Sequence, residues 1–542
     1  MLTYTPPESR PLVPQKEQDK PWLLILLCLF WLLPGLFGHD PWKPQENEHA
    51  AVIAGLLRHN PWVVPLLADQ PYFDSAPLYF WCAAIVANAL SWFGVALHDA
   101  ARFSTGLWMA LACWGTGLAG REAFGHRFGR LTVVLLLGSL GLLTWGHHIS
   151  PAVLPLTAFA WGIYALLLAQ RRPVSAGLVL GVSLLTLLLG ATWADALLLL
   201  LLALGLLVWP AWRQAGFAVT LVTALIVSLP LAALWGYALH EHSSELFQHW
   251  WRNYAWGPYG GAGQVVWLHQ PGFLLSILVW FAFPVLPLAA WSLWLHRREL
   301  QHGPWPLLCW LALGITLYIA LAGHPAEFTV LPLLLPLSLL AAAGVDDLRR
   351  GAASALNSFA ILTLGLAAVA IWVIWGILLS GGQGPVAVWL ARYTSAAMQI
   401  EWVGFVLALV ASLLWGKVLL RPRALGRKAI TNWTCGVILV FSVLVGLFQG
   451  WIDSGKSYRP VVQRIELLTA RVQPPCIDAS NLPSPVVGAL SYFSTKPVIT
   501  QPGNACIVAV RLASTPIPLP WSELGEVARL GESKERFVVY LK

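Results

Sequence analysis

The sequence predicts an all-α polytopic membrane protein with about thirteen transmembrane helices and a small α/β domain at its C-terminus. Of its 542 residues, 58% are hydrophobic and only 11% are charged, whereas an ordinary soluble chain carries about twice that share of charge. Long apolar runs such as 305–322 and 359–379 approach or reach the roughly 20 residues that cross a bilayer. Short basic loops separate these runs, and such loops are typical of the cytoplasmic side of membrane proteins.

The net charge of +8 could suggest a nucleic-acid-binding protein, but the positions of the basic residues exclude that class. Most of them lie in the polar head and in short loops between apolar runs, where they orient the chain in the membrane. With these loops in the cytoplasm, the chain divides into a cytoplasmic N-terminal segment 1–20, a transmembrane domain 21–451 and a small periplasmic domain 452–542. We therefore expect a multi-pass protein of a bacterial inner membrane.

The alternation of basic loops also fixes which apolar runs cross. The predicted spans are 21–38, 103–120, 131–147, 151–169, 173–191, 193–209, 216–235, 271–295, 304–322, 327–345, 357–380, 402–420 and 429–451. Pro77–Val95 is apolar enough to span, but counting it would invert every later loop. We interpret it as a helix at the outer interface, anchored by Tyr79, Trp81, Trp92 and Phe93, within one large external loop, 39–102.

The C-terminal segment changes character. Short β-rich runs (Pro497–Thr500, Cys506–Leu512, Arg536–Leu541) alternate with Pro and Gly, and one stretch, Pro460–Arg471, is typical of a helix. Of the 7 cysteines, only Cys476 and Cys506 lie outside apolar segments. In an oxidising compartment we expect these two to form a disulfide.

The densest group of polar residues lies in the large external loop. It contains His39, Asp40, Lys43, Gln45, Glu46, Glu48, His49, Asp69, Asp74 and Arg102. A carboxylate beside a membrane surface can act as a general base, or can hold a metal ion that neutralises phosphate. The alternative is that these are solvated loop charges, which composition alone favours.

The pattern of the loop favours chemistry. The stretches His39-Asp-Pro-Trp-Lys-Pro-Gln-Glu-Asn-Glu-His49, His59-Asn-Pro-Trp-Val-Val-Pro65 and Gln70-Pro-Tyr-Phe-Asp-Ser-Ala-Pro-Leu-Tyr-Phe-Trp81 resemble the bacterial aminoarabinose transferases. These are GT-C glycosyltransferases related to the protein O-mannosyltransferases. The turn His147-His-Ile-Ser150 and the segment Phe328-Thr-Val-Leu-Pro-Leu-Leu-Leu-Pro336 are similar to two further parts of that family, so the resemblance covers the membrane part.

The chain departs from the family's pattern at three places. The family's loop aspartate, its expected base, aligns with Gln45, and only the neighbouring Glu46 is kept. The family's lysine aligns with Ser75, while the preceding glutamate becomes Asp74. The aspartate of the second external turn aligns with Pro151. An amide cannot accept a proton at neutral pH, so the resemblance moves the base to Glu46, with Glu48 or Asp40 as alternatives.

The resemblance implies a membrane glycosyltransferase that moves a sugar from a polyprenyl-phosphate donor to a lipid, glycan or protein acceptor on the periplasmic side, with lipid A modification among the expected processes. Membrane lipids are the other expected partner. The leaving phosphate needs positive charge or a divalent metal ion. We expect Glu46 to be catalytic and Asp74 with His324 (or His242 or His249) to be metal ligands. The expected donor- and acceptor-binding residues are Gln45, Glu48, Asp74, Arg102, Arg252, Trp256 and Tyr259.

Two alternatives remain open. The aromatic residues Trp256 and Tyr259 could stack on sugar faces or belong to an interfacial aromatic belt. The chain could also be a catalytically degenerate relative that binds or presents a lipid-linked sugar. A secondary transporter is a weaker interpretation, because no inverted repeat is visible.

Overall fold

The computed structural model describes residues 21–262, 264–268, 270, 272–381, 384–390, 399–421, 425–501, 506–515, 521–529 and 535–542. The segment 1–20, predicted to be cytoplasmic, lies outside the described residues.

Most of the described chain is helical, as the apolar runs predict. The helices of the first half are α1 Pro21–Leu32, α2 Glu46–His59, α3 Leu78–Ser91, α4 Leu97–Phe124, α5 His126–Leu137, α6 Leu140–Trp145, α7 Val153–Leu168, α8 Pro173–Gly190, α9 Trp193–Gly205, α10 Ala215–His242 and α11 Ser244–Asn253. Those that follow are α12 Phe273–Phe281, α13 Val285–Leu295, α14 Trp305–Leu321, α15 Leu334–Gly344, α16 Arg350–Leu379, α17 Pro385–Leu390, α18 Trp402–Leu419, α19 Leu425–Lys456, α20 Arg459–Thr469 and α21 Ser484–Phe493.

The polytopic helical architecture is confirmed, while the count of thirteen spans stays a prediction. Among the described residues, six helices are long and apolar enough to cross a membrane by length and composition, or seven with one bent pair. Five shorter apolar helices accompany them. The bent pair is α12 and α13, which meet at 92°, so the single span predicted over 271–295 is broken. Pro284 stands at the break and has no N–H to continue the helix.

The helix predicted at the outer interface is α3, whose 14 residues extend roughly 21 Å, less than the hydrocarbon core of a bilayer. Trp92 and Phe93 after its end are 86% and 81% exposed, as interfacial anchors require. Tyr79 is a correction: it is fully buried, and its hydroxyl lies 2.6 Å from the hydroxyl of Thr105. Tyr79 therefore packs α3 onto α4 rather than facing the interface.

The strands are short except near the C-terminus. They are β1 Leu66–Leu67, β2 Gln70–Pro71, β3 Gly260–Gly261, β4 Gln264–Val265, β5 Ile477–Asp478, β6 Val498–Ile499, β7 Val508–Leu512, β8 Ser522–Ala528 and β9 Arg536–Leu541. The last five form one sheet in the order β6-β5-β7-β9-β8, parallel across β6, β5 and β7 and antiparallel across β7, β9 and β8. The sheet carries α20 and α21 and contains the expected disulfide: Cys476 and Cys506 are bonded, with Cα atoms 5.1 Å apart.

Candidate functional site

Helix α2 forms the centre of the loop 39–102, which is predicted to be external, and packs against α3, α4 and α21. Its first turn carries Glu46 and Glu48, a placement that the partial positive charge at a helix N-terminus favours. Gln45 precedes the helix, half-buried, and its side chain makes no capping hydrogen bond. The two carboxylates lie in different surroundings, and this difference decides what each can do.

Glu46 is buried and fully engaged. Its Oε1 accepts from Arg102 Nε at 3.0 Å and from the Ile149 backbone N–H at 2.8 Å. Its Oε2 accepts from the Trp42 backbone N–H at 2.7 Å. Burial raises the pKa of Glu46, but the Arg102 guanidinium and the charge of neighbouring histidines lower it by more than burial raises it. The net result is a pKa of about 2. Such a carboxylate holds the loop together and is a weak proton acceptor.

The Arg102 side chain is also buried and hydrogen-bonded at every nitrogen. Helix α4 begins at Leu97, so Arg102 lies in its second turn rather than at the end of the external loop. The side chain is fully buried and, besides Glu46, donates to Asp99 Oδ1 at 2.9 Å and to the Asp40 carbonyl at 2.6 Å. Two carboxylates already balance its charge. Arg102 therefore holds Glu46, Asp99 and the Asp40 backbone together, and its predicted contact with donor or acceptor stays a prediction.

Glu48 differs from Glu46 in both its hydrogen bonds and the direction of its pKa shift. It is buried, and its one hydrogen bond with a described side chain is from the Tyr72 hydroxyl to Oε2 at 3.4 Å. Burial and the negative charge of Asp74 raise the pKa of Glu48 to about 7. Desolvation also raises the pKa of Asp74, which stands on the exposed side of the loop. A carboxylate poised near neutral pH beside a second acid is the typical environment of a general base.

An aromatic loop after α10 packs against Phe73, the residue before Asp74. The Phe73 ring lies 5.9 Å from the Tyr254 ring and 6.3 Å from His249, and desolvation and Asp74 raise the pKa of Tyr254. His249 is thus close to the Asp74 segment. His242 is the last residue of α10.

The other residues predicted in this loop have distinct positions. Arg252 is exposed and makes no ion pair with a carboxylate of the described part of the chain. Trp256 packs its ring 5.8 Å from Trp251. The Tyr259 hydroxyl donates to the Tyr318 carbonyl at 2.6 Å. Trp256 and Tyr259 therefore build the loop, and Arg252 is the cation that it leaves accessible.

The predicted metal ligands do not form a recognisable centre. His324 is exposed, and its backbone N–H donates to the Pro258 carbonyl at 2.8 Å. Within the described ranges, no group of three or more His, Cys, Asp or Glu side chains could hold a metal ion. A divalent cation is ordinarily held by more protein or water ligands than Asp74 and one histidine provide. Asp74 with one histidine would therefore need water or substrate phosphate oxygens to complete the coordination of a divalent metal ion, and the metal stays a prediction.

The C-terminal domain completes the site, and sequence analysis missed this. A Cβ on Gly488 of α21 would lie 2.7 Å from both Cα and N of Glu48, so the two helices touch backbone to backbone. Arg459 donates to both Asp40 carboxylate oxygens, and Asp69 accepts from the Thr500 backbone N–H at 2.9 Å. Neither Gly488 nor α21 carries a sequence signal for this role.

No protein-family profile matches the chain. An undecaprenyl phosphate-alpha-4-amino-4-deoxy-L-arabinose arabinosyl transferase of Edwardsiella ictaluri is 26% identical over 384 residues, 66% of this chain and 65% of the relative. The corresponding transferase 2 of Proteus mirabilis is 25% identical over 486 residues, 82% of this chain and 80% of that one. The chain thus matches just under two thirds of the first relative's length.

Two crystal structures of ArnT from Cupriavidus metallidurans have the same fold. The form bound to undecaprenyl phosphate superposes with a TM-score of 0.66 and the apo form with 0.67. Each match covers 96% of this chain and 97% of the other, at 17% sequence identity. The membrane helices, the external loop and the C-terminal sheet together define a GT-C glycosyltransferase fold. In sequence, the chain is similar to the bacterial aminoarabinose transferases at 25–26% identity.

Proposed function

We propose that this protein is a membrane glycosyltransferase that moves a sugar from a polyprenyl-phosphate donor to a lipid, glycan or protein acceptor. The observation that carries the proposal is the match over 96% of the chain to a transferase crystallised with undecaprenyl phosphate. The sequence relatives are transferases of an undecaprenyl-phosphate-linked aminosugar. They favour an aminopentose donor, and lipid A modification is the process we expect.

We further propose that Glu48 is the general base. The acceptor hydroxyl would give its proton to the Glu48 carboxylate while its oxygen bonds to the anomeric carbon of the sugar. The bond from that carbon to the phosphate oxygen breaks, and its electron pair leaves with the polyprenyl phosphate. Glu48 supports this role better than Glu46, because its pKa near 7 lets it accept a proton at neutral pH.

The negative charge on the leaving phosphate needs a counter-charge. Arg252 supports this role, because it is exposed on the loop that packs over the Asp74 segment. Asp74 would orient the acceptor and keep the pKa of Glu48 high. Gln45, Trp256 and Tyr259 stay proposed contacts of donor or acceptor. A divalent metal ion stays a proposed alternative counter-charge, although the described residues include no group of three or more His, Cys, Asp or Glu side chains that could hold one, and no step above runs through it.

The proposed orientation places segment 1–20 in the cytoplasm, residues 21–451 in the inner membrane and residues 452–542 in the periplasm. The alternation of basic loops supports it, and so does the expected oxidising environment of the Cys476–Cys506 disulfide. Transfer would then occur at the periplasmic side.

The decisive experiment uses the purified full-length protein in lipid nanodiscs with radiolabelled 4-aminoarabinose on undecaprenyl phosphate. We expect transfer of label to a lipid A acceptor. Parallel binding of unlabelled undecaprenyl phosphate controls for loss of the lipid site. Binding without transfer to any lipid, glycan or protein acceptor would show a protein that only presents the lipid-linked sugar.

A further inference from the structure

A cavity of about 290 Å³ opens at the end of α4 that is remote from the candidate site. It lies between α4, α7 and the turn that leads into α8. Its polar lining consists of Arg121, Glu122, Tyr164, Arg171 and Arg172, and two leucines complete its walls. None of these residues belongs to the proposed transfer site.

The cavity and the candidate site lie at opposite faces of the helix bundle. Arg102 and Arg121 both belong to α4, and their separation of 19 positions corresponds to a rise of roughly 28 Å at 1.5 Å per residue. That distance is close to the hydrocarbon thickness of a bilayer. Whatever binds in this cavity therefore approaches from the membrane surface opposite the sugar-transfer site.

The cavity has an excess of positive charge. Glu122 is paired with Arg171, whose Nη2 lies 2.5 Å from Oε2. Arg121 and Arg172 are exposed and form no ion pair with a carboxylate among the described residues. Two guanidinium groups are thus left to face the opening. Guanidinium pairs with phosphate oxygens through two parallel hydrogen bonds, and it is more weakly hydrated than an ammonium group.

We propose that this cavity binds the phosphate group of an anionic ligand, and that the ligand is a phospholipid headgroup. The leucine walls, Leu118 and Leu168, suit the glycerol and first acyl carbons of a lipid better than they suit a free ion. Basic pockets between transmembrane helices at the cytoplasmic surface bind anionic lipid headgroups in this way. Basic residues that only orient the chain in the membrane need no cavity around them. This site has a cavity, a tyrosine phenol and an internal ion pair in addition to its basic residues.

The test measures binding of fluorescent phosphatidylglycerol and phosphatidylcholine to the full-length protein in detergent micelles. The double variant R121Q/R172Q removes the two unpaired charges. Its matched control, R298Q/R350Q, removes two exposed arginines from other basic loops outside the cavity. We expect R121Q/R172Q to weaken phosphatidylglycerol binding about tenfold or more, as loss of charge-assisted hydrogen bonds implies, and R298Q/R350Q to leave it unchanged.

Two further arms complete the experiment. Thermal unfolding of both double variants, compared with the wild type, shows that lost binding is not lost folding. Glycerol 3-phosphate competes for the site without acyl chains, and we expect it to bind far more weakly than phosphatidylglycerol. Equal binding of glycerol 3-phosphate and lipid would overturn the lipid as the ligand. The site itself would be overturned if the two double variants lost phosphatidylglycerol binding equally. It would also be overturned if the wild type bound phosphatidylglycerol and phosphatidylcholine equally.

Discussion

Glu46 and Glu48 stand two residues apart on α2, and side chains at that spacing point to different sides of a helix. Glu46 points into the junction with α4, where Arg102 and two backbone N–H groups neutralise it. Glu48 points toward Tyr72, where no described cation pairs with it. Direction on the helix, rather than residue type, therefore separates a positioning carboxylate from a candidate base.

The base is tested by paired substitutions. Glu48→Gln should lower the transfer rate by roughly 10²–10⁴-fold with little change in Tm, because the amide keeps the size but cannot accept a proton. Glu46→Gln should lower Tm instead, because it leaves the buried Arg102 guanidinium with one fewer anionic partner. Rates and Tm of the purified variants check both. The reverse pattern would place the base at Glu46, as the sequence predicts.

The rate should also depend on pH. Because the pKa of Glu48 is raised to about 7, the deprotonated base is scarce below pH 7 and complete well above it. The rate should therefore rise tenfold per pH unit on the acid side and level off above about pH 7. Asp74→Asn removes a charge that raises this pKa, so the midpoint should move to lower pH. If Asp74→Asn left the midpoint of the pH–rate profile unchanged, the group that titrates in that profile would not be Glu48.

The sequence predicts chemistry in the loop 39–102 but cannot rank the acids of that loop. The acidic pair at residues 46 and 48 is visible in the sequence, and the resemblance drew attention to Glu46. What distinguishes the two is Arg102, which is 56 positions from Glu46 in the chain. Long-range pairing of this kind leaves no periodic signal. For the same reason, the sequence does not reveal that Arg102, a predicted donor- or acceptor-binding residue, is paired with Glu46 and Asp99.

At the scale of elements, the contact between α2 and α21 sets the position of Glu48. Gly488→Ala should move the two helices apart, because the new Cβ would stand 2.7 Å from the Glu48 backbone. A displacement of about 1 Å can lower a rate by up to roughly 10²-fold, so we expect a loss of roughly 10- to 100-fold in transfer. Transfer assays of this variant check the prediction.

A matched control is Gly376→Ala. Gly376 also lies in a helix, α16, and a Cβ there would meet nothing within 4 Å. This change should leave the rate unaltered, and alanine favours the helix more than glycine does. Equal rates for Gly488→Ala and wild type would show that α21 does not position the base.

Element prediction from sequence succeeded where apolar runs were long and failed where tertiary contacts decide. The long helices α4, α10, α16 and α19 follow directly from hydropathy. The break between α12 and α13 was missed, although Pro284 is visible, because transmembrane helices often tolerate proline. The strands β5 and β8 and the helix α21 were also missed, since short segments of a small domain carry weak local signals.

For the molecule as a whole, topology is the open prediction. Single cysteines at Ser91 and Arg127, both exposed, should react with a membrane-impermeant maleimide from opposite sides. The five free cysteines would first be replaced. Ser91→Cys should be labelled in intact spheroplasts, and Arg127→Cys only after the membrane is opened. Labelling of both in intact spheroplasts would contradict the proposed orientation and the non-crossing α3.

The disulfide gives a second test at this scale. Cys476 and Cys506 are 30 residues apart, and closing such a loop contributes about 3.6 kcal/mol in the chain-entropy account. Replacing both with Ser should make the C-terminal domain unfold at lower temperature and become sensitive to protease. Cys82→Ser, which removes a free thiol, is the control and should change neither property. An unchanged protease pattern in the double variant would count against a stabilising bond.

The seating of Gly488 against Glu48 has a consequence for biosynthesis. The ribosome makes α2 early and α21 almost last, more than 400 residues later. A nascent chain can therefore insert all its membrane helices while its acidic loop still lacks one wall. On the proposed function, transfer would begin only when the final segment has been translated and folded, so a prematurely terminated chain would occupy the membrane without consuming the proposed donor.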